Sequence, residues 1–431
     1  MSNTSDAVAR HRRMAFLAPS RALVCGWAVY FALFFVAPVR VVVPVASGPM
    51  LYLLVSCVMF LAGCWTHRIW RPKPETDLTR GGLQLQSLFT IVTTAAVIGI
   101  GLRIYDRFFL RGASLAEDVL LRRESLENAG SNIFSMFAAG LFPFCFVVLF
   151  VFFLRPRDGK RHPFRLLFSL CVFALPGLNA ILVGSRSIIL TSVLLMSVYA
   201  FYFGMLRING RSVSTIILTS ILLLFLFTSV FLDRLQAMGL APESSVYNSD
   251  YAASLKPNGW IAQKIDNPGS LLASNTYFTY LNLTQYAVHG VFEFSYLYQN
   301  FTGAHTWGAD TFSMYYKLGA FIFGLPGFED RVLAAEPNSG VFTTFFGPLF
   351  IDFGWFGPLL VFGFGLVAQA LWTQVRRGDV GLAPFYFYLV IVIFLSPIVN
   401  LLSNGEGLFI LTSFALFWLG TRRNRGHNQL A

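Results

Sequence analysis

Charge is what this sequence has least of. Only 12% of its 431 residues are Asp, Glu, Lys or Arg, about half the share found in an ordinary soluble domain. A deficit of that size over this length excludes a conventional water-facing surface, and with it intrinsic disorder, a collagen-like chain and an extended coiled coil. Cysteine is scarce as well. Cys25, Cys57, Cys64, Cys145 and Cys171 lie inside apolar runs, with no Cys-x-x-Cys pair and no histidine at ligand spacing. A secreted disulfide scaffold is therefore excluded, and the thiols read as small buried hydrophobes. There is no glycine-rich phosphate loop, no dinucleotide fingerprint and no zinc-type His/Glu spacing, which disfavours cytosolic nucleotide-driven chemistry. No metal and no cofactor are expected.

In place of charge, the chain carries 55% hydrophobic and 16% aromatic residues. A hydrocarbon core of about 30 Å needs roughly 17–25 apolar residues per helix. Runs of that kind lie at 22–38, 49–66, 83–102, 132–154, 166–183, 187–206, 212–232, 353–373 and 383–402, with a shorter one at 407–420. The expected fold class is all-α: one polytopic transmembrane domain over 1–431, with about ten membrane helices. The count rises to twelve if the interrupted aromatic stretch 274–328 adds a re-entrant or spanning pair. Arg10-His11-Arg12-Arg13 and Arg21 before the first run resemble the basic start of a signal peptide. No small-x-small cleavage site follows, so the run reads as a retained first span.

The net charge of +11 invites a nucleic-acid partner, but too little polar sequence remains to build such a face. Topology accounts for it better. With the N-terminus inside, the segments 1–21, 67–82, 155–165, 207–211, 374–382 and 421–431 hold 20 Lys and Arg against five acids. All other segments hold 12 basic and 16 acidic residues. The positive-inside rule then places both termini in the cytoplasm. Two long segments, 103–131 and 233–352, fall on the outer side, and long ordered loops usually carry function.

The first outer loop opens with Arg103, Tyr105, Asp106, Arg107 and Arg111, ending at Gly112. A helical continuation would put the three arginines on one stripe. They then either hold a phosphate bidentately, with Asp106 orienting one of them, or snorkel to lipid headgroups. Arg186, in Gly184-Ser185-Arg186, stands at a tight corner between two spans. A cation at a helix N-terminus opposes the helix dipole, so an anion there would satisfy both the arginine and the free amides. The second outer region holds nine aromatics from Tyr277 to Phe301, which suit a membrane-interface belt or a sugar-stacking surface. Within them, His289 and Glu293 are spaced i, i+4, so the carboxylate can orient the imidazole as a general base. His305 follows in His-Thr-Trp-Gly. Further on come Arg331, Glu336, Asn338 and Asp352. The Gly-Pro-Leu repeated at 347 and 357 predicts a broken or re-entrant helix, and a buried Asp352 there would be explained by pairing with an outer arginine.

Taken together, the Arg103–Gly112 segment, Gly184-Ser185-Arg186, Tyr286-x-x-His289-Gly290, Asn338-Ser339-Gly340 and Asp352-Phe-Gly354-x-x-Gly357 resemble the bacterial O-antigen/oligosaccharide repeat-unit polymerases (Wzy-type). The resemblance covers most of the chain in topology and reaches the wider superfamily of lipid-linked glycan polymerases and ligases. It implies a metal-independent, C-type glycosyltransferase in the bacterial inner membrane. Such an enzyme joins undecaprenyl-pyrophosphate-linked oligosaccharides at the periplasmic face and releases undecaprenyl pyrophosphate. A chain-length regulator protein is an implied partner, and nucleic acid is not. On that footing Arg103, Arg107, Arg111, Arg186 and Arg331 would bind the pyrophosphate, and His289, Glu293 and Glu336 are candidate bases. Asp106, Tyr286, Asn338 and Asp352 would bind or orient sugar. An O-antigen ligase is the nearest alternative. A flippase or transporter is further off, because neither a half-to-half repeat nor acids deep in several spans are present.

Overall fold

The computed structural model describes residues 13–69, 85–114, 126, 132–154, 163–182, 186–206, 214, 254–267, 270–324, 341–403 and 406–427. The chain is mostly helical. In order run α1 (Pro19–Val36), β1 (Val39–Val41), α2 (Ser47–Ile69), α3 (Leu85–Ile104), a π-helical turn (Tyr105–Leu110), α4 (Ile133–Leu141), α5 (Phe144–Leu154), α6 (Pro163–Leu182) and α7 (Arg186–Tyr202). There follow β2 (Leu255–Pro257), α8 (Gly259–Asp266), α9 (Leu271–Asn300), α10 (Ser313–Phe323), α11 (Phe346–Phe353), a 3-10 turn (Gly354–Phe356), α12 (Gly357–Arg376), α13 (Ala383–Phe394) and α14 (Gly407–His427).

Among the described residues, six segments are long and apolar enough to cross a membrane: Pro19–Val36, Ser47–Ile69, Leu85–Leu110, Ile133–Leu154, Pro163–Ile181 and Phe346–Arg376. Three shorter apolar helices, Ser187–Tyr202, Ala383–Phe394 and Gly407–Arg422, accompany them. The expected run at 212–232 lies outside the described residues. The run expected to end at 402 stops at Phe394, because Pro397 cannot continue a helix. The same chemistry divides α4 from α5 at Pro143.

Burial sorts the helices into two kinds. Phe144 through Val151 of α5 and nearly all of α13 are buried, as helices that are apolar all round must be when they fill a core. The outward sides of α1 and α6 are apolar too, with Phe35 83% and Phe164 85% exposed. An exposed apolar girdle of that kind suits hydrocarbon rather than water, and the chain is an all-α protein of the lipid bilayer. Close approach is built in by small residues. A Cβ on Gly63 of α2 would lie 2.1 Å from the Phe362 carbonyl oxygen of α12, and one on Gly365 would lie 2.3 Å from that of Phe60. Only glycine lets these two backbones touch, as in the small-residue helix pairs of membranes.

The helix ends gather into two groups. At the basic end, Trp372 Nε1 donates to the Met14 carbonyl (2.8 Å), Arg68 to Ser20 (3.1 Å), Arg165 to Gln86 (3.4 Å) and Trp418 Nε1 to Asp379 (3.0 Å). The opposite, loop end collects residues 103–114, 132, 302–312, 346–354, 400–403 and 406 with a two-stranded antiparallel sheet. There β1 pairs β2 with Val39 opposite Pro257 and Val41 opposite Leu255. This sheet ties the chain ahead of α8 to the α1–α2 connector. Helix α9 bridges the loop end: the Tyr30 hydroxyl donates to the Val288 carbonyl (3.0 Å), the Ala46 amide to Ser295 Oγ (3.3 Å), and Tyr298 stacks on Phe350 of α11. The predicted broken helix is present as α11, the 3-10 turn and α12. Gly354 makes the break at φ +53°, in the left-handed region that suits glycine.

Candidate functional site

The candidate site at the loop end is built around the first arginines. Helix α3 does not continue regularly beyond Ile104; it widens into the π-helical turn Tyr105–Leu110, a device often found at functional positions. Each of the three arginines takes a different partner. Arg103 forms an ion pair with Glu406, just ahead of α14, and its guanidinium lies 5.5 Å over the Phe142 ring. Arg107 Nη1 donates to Asn179 Oδ1 of α6 (2.5 Å). Arg111 Nε pairs with Asp106 (3.1 Å), and its Nη1 donates to the Leu126 carbonyl (2.6 Å).

Asp106 is 3% exposed and also accepts from Asn132 Nδ2. Asn132 in turn caps α4: its Oδ1 accepts from the Ser135 amide (2.8 Å), and its own amide donates to Ser135 Oγ (3.1 Å). That reciprocal capping box satisfies two donors that a helix start would otherwise leave open.

The charges of the cluster do not cancel. Among its described residues, Arg103, Arg107 and Arg111 face Asp106 and Glu406, leaving one positive charge, and Arg107 is bonded to a neutral amide. Two donors are also left over. Arg103 Nε and Asn179 Nδ2 are buried with no hydrogen-bond partner among the described residues. A guanidinium can only donate, so Asn179 must turn its oxygen toward Arg107 and its NH2 away from it. Buried donors without acceptors are costly, at about 1–3 kcal/mol each. A cation surplus beside orphaned donors suits an acceptor-rich anion.

The second group of expected residues lies on α9. His289 is buried at 1% exposure, and its Nδ1 stands 2.7 Å from the Tyr286 carbonyl. A carbonyl only accepts, so Nδ1 carries the proton. The Tyr286 carbonyl thus fixes this tautomer. Glu293 is buried on the same helix at 3% exposure. Gly290 packs against the segment 395–403 that follows α13, where a Cβ would meet the Ile398 carbonyl oxygen at 2.6 Å. That segment is non-helical and largely buried, as non-helical backbone at membrane depth has to be. Asn400 braces it, with Oδ1 accepting from the Leu402 amide (2.9 Å) and Nδ2 donating to the Phe345 carbonyl (3.3 Å).

Asp352 is fully buried, yet its partners are not the outer arginine expected for it. Its carboxylate accepts from Thr306 Oγ1 (2.5 Å) and from the amides of Asp310 (3.0 Å) and Thr311 (2.8 Å). A carboxylate held by three such donors needs no counter-cation. Its effect is to fasten the segment after α9 onto the end of α11.

Arg186 opens α7, seven residues along the chain from Asn179; its side chain lies outside the described residues, as do Arg331, Glu336 and Asn338. Glu406, Asn179, Asn132 and Thr306 are the site residues that sequence reasoning missed. Glu406 had a signal, being the lone acid between two late apolar runs. Asn179, a polar residue near the end of an apolar span, had a weaker one. No known family, curated protein or solved structure matches the chain.

Proposed function

We propose that this protein is a lipid-linked oligosaccharide repeat-unit polymerase. It would be a metal-independent glycosyltransferase of the bacterial inner membrane with both termini cytoplasmic and the loop end in the periplasm. The observation that carries the reading is the arginine cluster, with its surplus positive charge at Arg107 and its orphaned donors on Arg103 and Asn179. The leaving group of such a donor substrate is a pyrophosphate, which needs positive charge and hydrogen-bond donors more than it needs a proton. Donors already in place where charge develops are usually the largest contribution to catalysis.

In this scheme an acceptor sugar hydroxyl attacks the anomeric carbon of the donor. The bond from that carbon to the pyrophosphate oxygen breaks, and undecaprenyl pyrophosphate departs toward Arg107 and Arg103, with Arg186 a further candidate cation. The hydroxyl proton passes to a base, for which His289, Glu293 and Glu336 are the candidates. A base on one side and the departing pyrophosphate on the other would invert the anomeric configuration. A product that keeps the donor's configuration would reject single displacement.

The test is polymerisation of purified lipid-linked repeat unit by the purified chain. A ladder of products with release of undecaprenyl pyrophosphate is expected. Transfer of preformed polymer only to lipid A–core would identify a ligase instead. Unaltered movement of lipid-linked repeat across the membrane with no new glycosidic bond would identify a transporter.

A further inference from the structure

His305 and Trp307 belong to the His-Thr-Trp-Gly sequence that the proposed chemistry leaves unused. The segment crosses the break between α11 and α12 and is held there from below. The Thr306 and Trp307 amides donate to the Ile351 (3.4 Å) and Asp352 (3.1 Å) carbonyls, while the Asp352 carboxylate takes Thr306 Oγ1 and two further amides. From the side, the Tyr316 hydroxyl donates to the Trp307 carbonyl (3.2 Å).

What this bracing secures is a strained residue. Trp307 has φ +53°, and it is the one non-glycine residue with positive φ among the described residues. Its indole is nonetheless 70% exposed, with one edge toward Phe353 at 6.3 Å between ring centroids. A bulky residue held in the left-handed region is a genuine outlier, and such strain persists only where the surroundings over-determine it. A tryptophan that merely anchors a protein at the membrane interface needs the right depth and no special backbone.

His305 is exposed and equally fixed. Its ring stacks on Phe301 (5.2 Å, 15° between planes), and Nδ1 lies 3.0 Å from the Ile351 carbonyl, so it carries the proton and leaves Nε2 as an acceptor. Nε2 lies over Gly354, where a Cβ would come within 2.6 Å of it. The glycine that breaks the helix also makes room for this nitrogen.

We propose that residues 305–307, over the α11–α12 break, form a saccharide-binding subsite. Trp307 is the flat apolar platform for one face of a pyranose ring, and His305 Nε2 accepts from one of its hydroxyls. The occupant is the oligosaccharide portion of the substrate, and in this respect the subsite rests on the polymerase reading.

The test measures binding of a soluble probe to the full chain in lipid nanodiscs. The probe is the repeat-unit oligosaccharide freed from its lipid by mild acid. Trp307→Gly relieves the backbone strain while removing the ring, so it should leave Tm unchanged or raised yet weaken binding about ten-fold or more. Trp307→Phe should bind within about three-fold of the parent, a loss of less than half a ten-fold step. Should the glycine variant fail to fold, Trp307→Leu replaces it; loss in the leucine variant with retention in the phenylalanine variant carries the same meaning. Equal binding by the parent, glycine and leucine variants overturns the subsite. So does quenching of the Trp307 fluorescence by brominated lipid with no protection by the oligosaccharide, which would make the residue an interface anchor. If binding through Trp307 is found but the parent chain makes no polymer, the polymerase reading fails and the subsite stands. If polymer forms and Trp307→Gly binds normally, the subsite fails and the polymerase stands.

Discussion

Asp106 and Asp352 are buried to nearly the same degree at the same end of the molecule, and they are satisfied in different ways. Asp106 sits in a cluster where carboxylates answer guanidiniums, and where one positive charge and two donors remain unanswered. Asp352 sits among neutral donors, two backbone amides and a hydroxyl, with no guanidinium in either described ion pair to match it. The first arrangement holds electrostatic capacity in reserve and is therefore the place proposed for an anion. The second uses its whole capacity to hold backbone, and what it offers a ligand is shape: an exposed indole on a braced segment.

That contrast can be broken experimentally. The largest effect is expected at Arg107, whose guanidinium is in neither described ion pair. Arg107→Ala should lower polymer formation about 100-fold or more, the loss typical of removing one donor to developing charge, while Tm changes little. An equal fall in Tm and activity would make Arg107 structural.

Asp352→Ala should act in the reverse sense. It strands two amides and a hydroxyl, at about 1–3 kcal/mol for each buried donor, so thermal unfolding in detergent should fall by several degrees. Asp352→Asn keeps one acceptor oxygen and should lose less.

The Arg103–Glu406 pair tests the charged arrangement from inside. Glu406→Ala leaves a largely buried guanidinium unpaired and should cost about 3 kcal/mol or more. The double variant Arg103→Met/Glu406→Leu should recover much of that stability but not the activity. Recovery of both would show that Arg103 has no part in holding the anion.

The smallest effect belongs to the cap. Asn132→Ala removes the α4 N-cap and should cost about 1 kcal/mol, with a further small loss because Asp106 forfeits a donor.

The membrane helices were legible because apolar run length is a local property. The broken α11–α12 helix was legible as well, because Gly354 and the Gly-Pro pairs act where they stand. Pro397 marks where local reading overshot: hydropathy continues to residue 402, but the helix cannot. The arginine cluster was legible only in part. Arg103, Arg107 and Arg111 stood out as outer charges, but Arg103 finds Glu406 at a separation of 303 residues, and no spacing rule foretells that. The π-helical turn at Tyr105–Leu110 and the amide partners of Asp352 are tertiary results of the same kind. The aromatic run from Tyr277 to Phe301 suits a membrane belt or a sugar-stacking surface, but the platform proposed for a sugar ring is not in it. Trp307, beyond it, is distinguished by backbone strain, which composition does not register.

In the proposed function, the arginine cluster receives a lipid pyrophosphate as a glycosidic bond forms. The most direct measurement incubates the purified chain and its Arg107→Ala variant with lipid-linked repeat unit, following polymer length and released undecaprenyl pyrophosphate together. The parent chain should give both in step and the variant neither. Pyrophosphate release without polymer, or polymer made equally well by the variant, would contradict the account.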